Sequence, residues 1–271
     1  MATVNIDGLE LYYDVKGEGP TLVFAHGIGG NHSNWYQQVS YFSQWYRVVT
    51  FDHRGFGNSR DREDGPGRAA FADDMKSLVD HLDVEQVVLV AQSMGGSTCG
   101  LFTQRNPERV RALVLGDTLG GMALPPELEQ RMDEVRKDTS SLSQLDRVLS
   151  NGFRVREPAM TELYTQMNSF NMVNRGNLPG VFPQGPSPED MTGYGIPLLF
   201  VVGLEDVLFP PDVIRGLHSR IPGSTLVEVP HSGHSTHFEQ PEIFNQAVHQ
   251  FLLAYGIGTS AKERLEPALA S

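Results

Sequence analysis

Apolar residues along this chain recur with two spacings. Some form short unbroken runs rich in β-branched residues: Thr21–Ala25 ("TLVFA"), Arg47–Phe51 ("RVVTF") and Val87–Ala91. Runs of this kind suit strands buried on both faces of a parallel sheet. Others recur every three or four positions. Phe71, Met75, Leu78, Val79 and Leu82 do so within Ala69–Leu82, which predicts a helix with one buried face. Trp35 to Trp45 has a similar mix, and Met94–Gln104 reads as a helix stopped by Asn106-Pro107. Ala2–Ile6 and Leu9–Val15 flank Asp7-Gly8, a hairpin signal. Strand Ala112–Leu115 follows the third helix. Strands alternating with helices predict βαβ units and a mostly parallel sheet.

The alternation stops near Leu119 and returns near Tyr194. Between them, "PPELEQRMDEVRKD" opens with prolines and acids, a helix start. "SLSQLDRVLSNGF" and "EPAMTELYTQMNSF" read as one further helix each, and "NRGNLPGVFPQGPSPED" as a Pro/Gly-rich connection. The pattern then resumes: strand Pro197–Val202, a helix near Asp212–Arg220, strand Thr225–Val229 and a helix near Pro241–Tyr255. We therefore expect one α/β body from residues 1–118 and 195–256, a helical insertion over 119–194, and a loosely held or disordered tail over 257–271.

Composition narrows the partners. The 271 residues carry a net charge of −12, which repels nucleic acid and anionic membrane surfaces. A single cysteine, Cys99, rules out an intrachain disulfide framework. No apolar run approaches the roughly 20 residues that span a bilayer. The opening residues lack a basic segment followed by an apolar one, so the expectation is a cytoplasmic protein acting on a small molecule. Whether it is a monomer or a homodimer stays open.

The chemistry centres on "AQSMGGS". Ser93 follows a buried strand, with Ala91 two residues before it and Gly95 two after. A sharp strand-to-helix turn exposes its middle residue and tolerates only small neighbours at those offsets. The helix beginning at Met94 would aim its positive end at Ser93. Ser150-Asn151-Gly152 has a similar look, but Val148 stands two before it and no buried strand precedes it. A serine needs a base, and the base needs an orienting acid. "VVGLEDVLFP" supplies Glu205 and Asp206 after one strand; "VEVPHSGHSTHFEQP" supplies His231, His234 and His237 after the next. The order Ser, Asp, His fits a nucleophile-elbow hydrolase. His231, His234 and His237 lack a specified fourth ligand, so no metal site is expected, and Cys99 reads as packing.

Five segments in order resemble the α/β-hydrolase superfamily: "HGIGGNHSNW", "DHRGFGNS", "AQSMGG", "GLEDVLFP" and "GHSTHFEQPEIF". The resemblance implies the α/β-hydrolase fold: an eight-stranded, mostly parallel sheet flanked by helices, with a helical lid inserted after strand six. It implies Ser93 as nucleophile, His234 as general base and acid, and Asp206 as the acid that orients it, with Asp117 as the fallback acid. Glu205 reads as a solvated neighbour. Backbone N–H groups of Ile28 and Met94 would form the oxyanion hole, with Gly29 and Gly30 letting their loop approach closely. Gly27, Gly29, Met167, Phe170 and Phe209 are candidate substrate contacts, and Arg54 is expected to be structural. No cofactor is implied. The leading expectation is hydrolysis of a small, fairly apolar carboxylic ester or lactone, most similar to the enol-lactone hydrolases. The alternatives are a carbon–carbon bond hydrolase of ring-cleavage products, a cofactor-free haloperoxidase-like perhydrolase, and a small-ligand receptor. Ser235 and Ile28 stand where the first two typically carry aromatic residues.

Overall fold

In the computed structural model, which describes residues 2–62 and 64–258, the predicted strands assemble into one eight-stranded sheet. They are β1 (Ala2–Ile6), β2 (Leu9–Lys16), β3 (Thr21–Ala25), β4 (Arg47–Phe51), β5 (Val87–Gln92), β6 (Val110–Gly116), β7 (Leu198–Gly203) and β8 (Thr225–Val229), in the order β1-β2-β4-β3-β5-β6-β7-β8. The β1–β2 hairpin turns at Asp7 and Gly8, both at positive φ. β2 runs antiparallel to β4, and every later pairing is parallel.

Alternation along the strands divides the apolar residues between two faces. Val23, Val49, Leu89, Leu113 and Phe200 join one buried cluster; Leu22, Phe24, Val88, Val90 and Val114 join the other. The second face is covered by α1 (Tyr36–Phe42) and, from the far end of the chain, by Phe244 and Val248. The first is covered by α2 (Phe71–His81) and α3 (Met94–Arg105). Cys99 on α3 is fully buried, and burial pushes its thiol pKa up.

Between β6 and β7 come α4 (Pro126–Asp138), α5 (Gln144–Val148), α6 (Asn151–Arg156), α7 (Pro158–Ser169) and α8 (Pro188–Tyr194). The segment expected as one helix over 141–153 is broken at Leu149, which is extended. Two serines explain the break: Ser143 caps α5 and Ser150 caps α6, each accepting from a backbone N–H three residues on. The Ser150-Asn151-Gly152 stretch is thus a helix start. α8 lies where only a connection was expected, begun by a capping box from Ser187 and Asp190. The chain finishes with α9 (Pro211–His218), a short α10 (Thr236–Glu239) and α11 (Pro241–Ala254). Beyond α11, Ile257 is buried and its carbonyl accepts from the Tyr46 hydroxyl at 3.1 Å. Residues 259–271, most of the expected tail, lie outside the described residues.

Candidate active site

Ser93 follows directly on β5 with φ 51° and ψ −118°, a left-handed conformation that costs energy for any residue with a Cβ. The tightness of this turn explains its small neighbours. A Cβ on Gly95 would lie 2.1 Å from the Ala25 carbonyl oxygen, a backbone atom that cannot give way. The Ser93 N–H donates to Gly116 O, and the Thr118 hydroxyl donates to Ser93 O, so β6 holds the turn. The strain leaves the hydroxyl at the C-terminal edge of the sheet, above the first turn of α3. N–H groups of a first turn lack acceptors within their own helix.

The predicted partners converge there. His234 Nε2 lies 2.8 Å from Ser93 Oγ, and His234 Nδ1 lies 2.9 Å from Asp206 Oδ2. His234 and Asp206 are both buried. Asp206 Oδ1 accepts from the N–H groups of Leu208 and Phe209, which fixes the carboxylate. Burial opposes a charged imidazole, but the charge and hydrogen bond of Asp206, joined by the charge of Asp117, outweigh it. The His234 pKa is raised above its ordinary 6.5. An imidazole so held can draw off a hydroxyl proton and return it to a leaving group.

Asp117 stands just past β6, also at positive φ. It faces the loop and not the imidazole: Oδ1 accepts from Gly203 N–H and the Thr236 hydroxyl, and Oδ2 from Thr236 N–H. It ties β6 and β7 to the histidine loop. Burial first, and then the charge of Asp206, push its pKa well above the carboxylate range. His231 is exposed near Glu205, and His237 is buried against Trp35 with ring centroids 4.4 Å apart. The three histidines therefore do not converge. Among the described residues, no group of three or more His, Cys, Asp or Glu side chains is placed to hold a metal.

The glycine loop sits close against this centre. A Cβ on Gly27 would meet the Gln92 amide oxygen at 2.1 Å and Ser93 Cβ at 3.0 Å. The loop is pinned by His26, whose Nε2 accepts from His53 N–H while Nδ1 lies 2.8 Å from Gly27 O. Burial brings the His26 pKa down to about 4, so the ring is neutral and keeps both bonds. Arg54 is structural, bound through Nε and Nη2 to the two oxygens of Asp74 and through Nη1 to Asp61.

Two chambers with shared walls lie on this side of the molecule, the inner one at Ser93. The inner, about 20 Å³, is lined by Ser93, His234, Ile28, Val148, Tyr164 and Leu208 among others. The outer cavity is about 490 Å³. Ile28, Gly29, Gln144, Arg147 and Arg175 line both. Phe209 packs on the His234 ring, centroids 5.4 Å apart. Met167 and Phe170 line neither chamber. Met167 is buried with Tyr164 and Phe238, and Phe170 is 71% exposed, because α7 turns its apolar side toward the body. Both chambers mix apolar and polar lining; the outer cavity sets Ile28, Leu142 and Val173 beside amides and the two arginines. A hollow of about 770 Å³ between β8 and α11 lies away from Ser93 and has no acid, histidine or cation in its lining.

The sequence reading missed several contributors. Gln92 Nε2 donates to His234 O at 2.7 Å and holds the histidine loop. Glu239 accepts from Gly233 N–H and Ser150 N–H, joining that loop to α6. Both residues lie inside recognised motifs, and their position beside Ser93 and His234 was the available signal. Arg147 and Arg175 carried none.

The family described as the alpha/beta hydrolase fold matches residues 20–241. The chain belongs to it. It is 31% identical to a 2-hydroxy-6-oxononadienedioate/2-hydroxy-6-oxononatrienedioate hydrolase of Paraburkholderia phymatum, covering 90% of this chain and 91% of that protein. It is 28% identical to 3-oxoadipate enol-lactonase 2 of Acinetobacter baylyi, covering 91% and 94%. Among solved structures, a thermophilic esterase from Thermogutta terrifontis matches with a TM-score of 0.75 and 25% identity, covering 94% and 97%. This α/β hydrolase has its candidate site at the C-terminal edge of the sheet. Among the described residues, no helix is long and apolar enough to cross a membrane.

Proposed function

We propose that this α/β hydrolase cleaves a carboxylic ester or (enol-)lactone through an acyl-Ser93 intermediate. The observation that carries the reading is the unbroken relay Ser93–His234–Asp206, at 2.8 and 2.9 Å. Ser93 Oγ attacks the acyl carbon as His234 Nε2 takes its proton. Asp206 holds the Nδ1–H and balances the imidazolium. The oxyanion is met by the N–H groups of Met94 and Ile28. His234 then passes its proton to the leaving oxygen, which departs from an ester but stays tethered in an opened lactone. A water, deprotonated by His234, attacks the acyl-serine, and His234 returns that proton to Ser93 Oγ as the acid is released. Residues 119–194 act as the lid, placing α5 and the loop after α7 over the serine. Every proton and bond in this cycle is supplied by these groups and water, so no cofactor enters it.

The enol-lactonase and esterase relatives favour oxygen–acyl cleavage. A second reading, cleavage of a carbon–carbon bond in a ring-cleavage product, draws on the 31% identical relative. Steady-state assays separate the two. Wild type is expected to turn over p-nitrophenyl acetate and simple lactones, to react with a fluorophosphonate at Ser93, and to lose both properties in Ser93→Ala. Full esterase activity in Ser93→Ala would overturn the mechanism. Turnover of ring-cleavage dienoates alone would move the assignment to the second reading.

A further inference from the structure

Two cationic side chains line both chambers: Arg147 on α5 and Arg175 in the loop after α7. Among the described residues neither pairs with a carboxylate. Arg147 Nη1 donates to Thr139 O at 2.8 Å, and Arg175 Nη2 donates to Ser140 O at 3.3 Å. The acid preceding Arg147 in sequence, Asp146, pairs instead with Arg154 at 2.7 Å. Protein counter-ions are abundant in a chain with 33 acidic residues. Arg54 and Arg109, for instance, are both paired.

Two guanidinium groups in one cavity repel each other, Arg147 half-buried and Arg175 exposed. Burial and then the charge of Arg175 lower the Arg147 pKa. Gln144 adds an amide to the lining, beside Asn168 and Asn171, whose amides are held by Tyr164 O and Gly30 O. An arrangement that opposes stability at a cavity sharing walls with the one at Ser93 is explained if the missing charge arrives with a ligand.

We propose that Arg147 and Arg175 form a carboxylate subsite, and that the substrate is an ester or lactone of a dicarboxylic acid. The inference rests on the acyl-Ser93 reading. The reacting acyl carbon lies at Ser93 while the remote carboxylate enters the outer cavity. Guanidinium forks match a carboxylate with two parallel bonds and give directionality that a lysine lacks. The subsite would orient the substrate, and its binding energy would restore the charge balance of the arginine pair.

The test pairs a binding arm with a kinetic arm. Calorimetry with glutarate is expected to show saturable binding to wild type, weakened about tenfold or more in Arg147→Gln and Arg175→Gln. Arg175 is exposed, so its variant keeps the fold even if Arg147→Gln does not. Absence of glutarate binding, or equal binding by inorganic phosphate, would overturn the carboxylate assignment. In the kinetic arm, the p-nitrophenyl monoester of glutaric acid is compared with its methyl-capped analogue. Wild type is expected to prefer the free carboxylate about tenfold in kcat/KM, mainly through KM. The preference should collapse toward unity in the double glutamine variant and return in part with Arg175→Lys. Equal kcat/KM values in wild type would overturn the proposal. Turnover of neither ester would defeat the hydrolase reading, and the glutarate arm would then decide the subsite independently.

Discussion

The parallel sheet and the helical segment between β6 and β7 treat their residues very differently. In β3, β5 and β7 every position is buried, so each side chain is confined by neighbours on two faces. The helical segment buries one side only. Leu128, Met132 and Val135 of α4 pack inward, while Phe170, Met172 and Val181 stand exposed. Charges divide in the same way. The body pairs its buried Arg54 with Asp61 and Asp74 and satisfies buried Asp117 and Glu239 with hydrogen-bond donors. The helical segment pairs Arg131, Arg136 and Arg154 with acids but, among the described residues, leaves Arg147 and Arg175 without one. The proposed chemistry thus sits where geometry is over-determined, and the proposed selectivity sits where side chains have freedom to change. The two regions are joined by apolar packing, with Leu128, Met132, Val135 and Met191 in the sheet core and Leu178 against Phe56 and Phe71, and by polar ties such as Glu239 to Ser150, Asn31 to Met167 O and Arg131 to Asp212.

The sharpest way to break this comparison lies within the body. Asp206 touches the imidazole, whereas Asp117 touches the loop that carries it and the end of β7. Asp206→Asn is expected to lower kcat by about 10³–10⁴-fold on p-nitrophenyl acetate. Asp117→Asn should cost about tenfold and show mainly as lost thermal stability, because one of its three accepted hydrogen bonds becomes a clash of donors. The reverse ranking would move the orienting role to Asp117.

Stability sharpens the contrast between regions. Leu89→Ala, in the centre of the sheet, should cost about 2–5 kcal/mol by denaturant unfolding. Phe170→Ala should stay within about 0.5 kcal/mol and leave esterase activity unchanged. A large loss in Phe170→Ala would show that the exposed ring is covered in solution.

The pH profile gives the smallest and most specific effect. His234 acts as a base only when neutral, so kcat/KM should rise with pH through its pKa. Asp206 and Asp117 raise that pKa against burial, which places the acidic limb above 6.5. Removing the charge in Asp206→Asn leaves burial dominant, and the limb should move to lower pH. A limb that stays in place would mean another group titrates.

The sheet and the three polar residues at its edge were legible in the sequence because their physics is local. A both-faces-buried strand must read as an apolar run, and the turn at Ser93 admits only small residues at Ala91 and Gly95. The helical segment was less legible. Its break at Leu149 depends on two serine caps inside one amphipathic stretch, and α8 hides behind prolines that read as a connection. Met167 and Phe170 were placed at the substrate because apolar residues suit a pocket equally well and a packing face. Only the three-dimensional direction of α7 separates the two. Arg147 and Arg175 gave no signal at all, since an unpaired arginine is defined by what fails to lie near it in space.

The central claim is that Ser93 becomes acylated. The most direct measurement mixes wild type rapidly with p-nitrophenyl acetate, quenches in acid and weighs the protein and its peptides. The account predicts a transient gain of one acetyl group on the peptide containing Ser93, matched by a burst of p-nitrophenol of the same amplitude, and neither in Ser93→Ala. Hydrolysis with no burst and no mass gain under conditions where deacylation limits turnover, or an acetyl group on another residue, would contradict it.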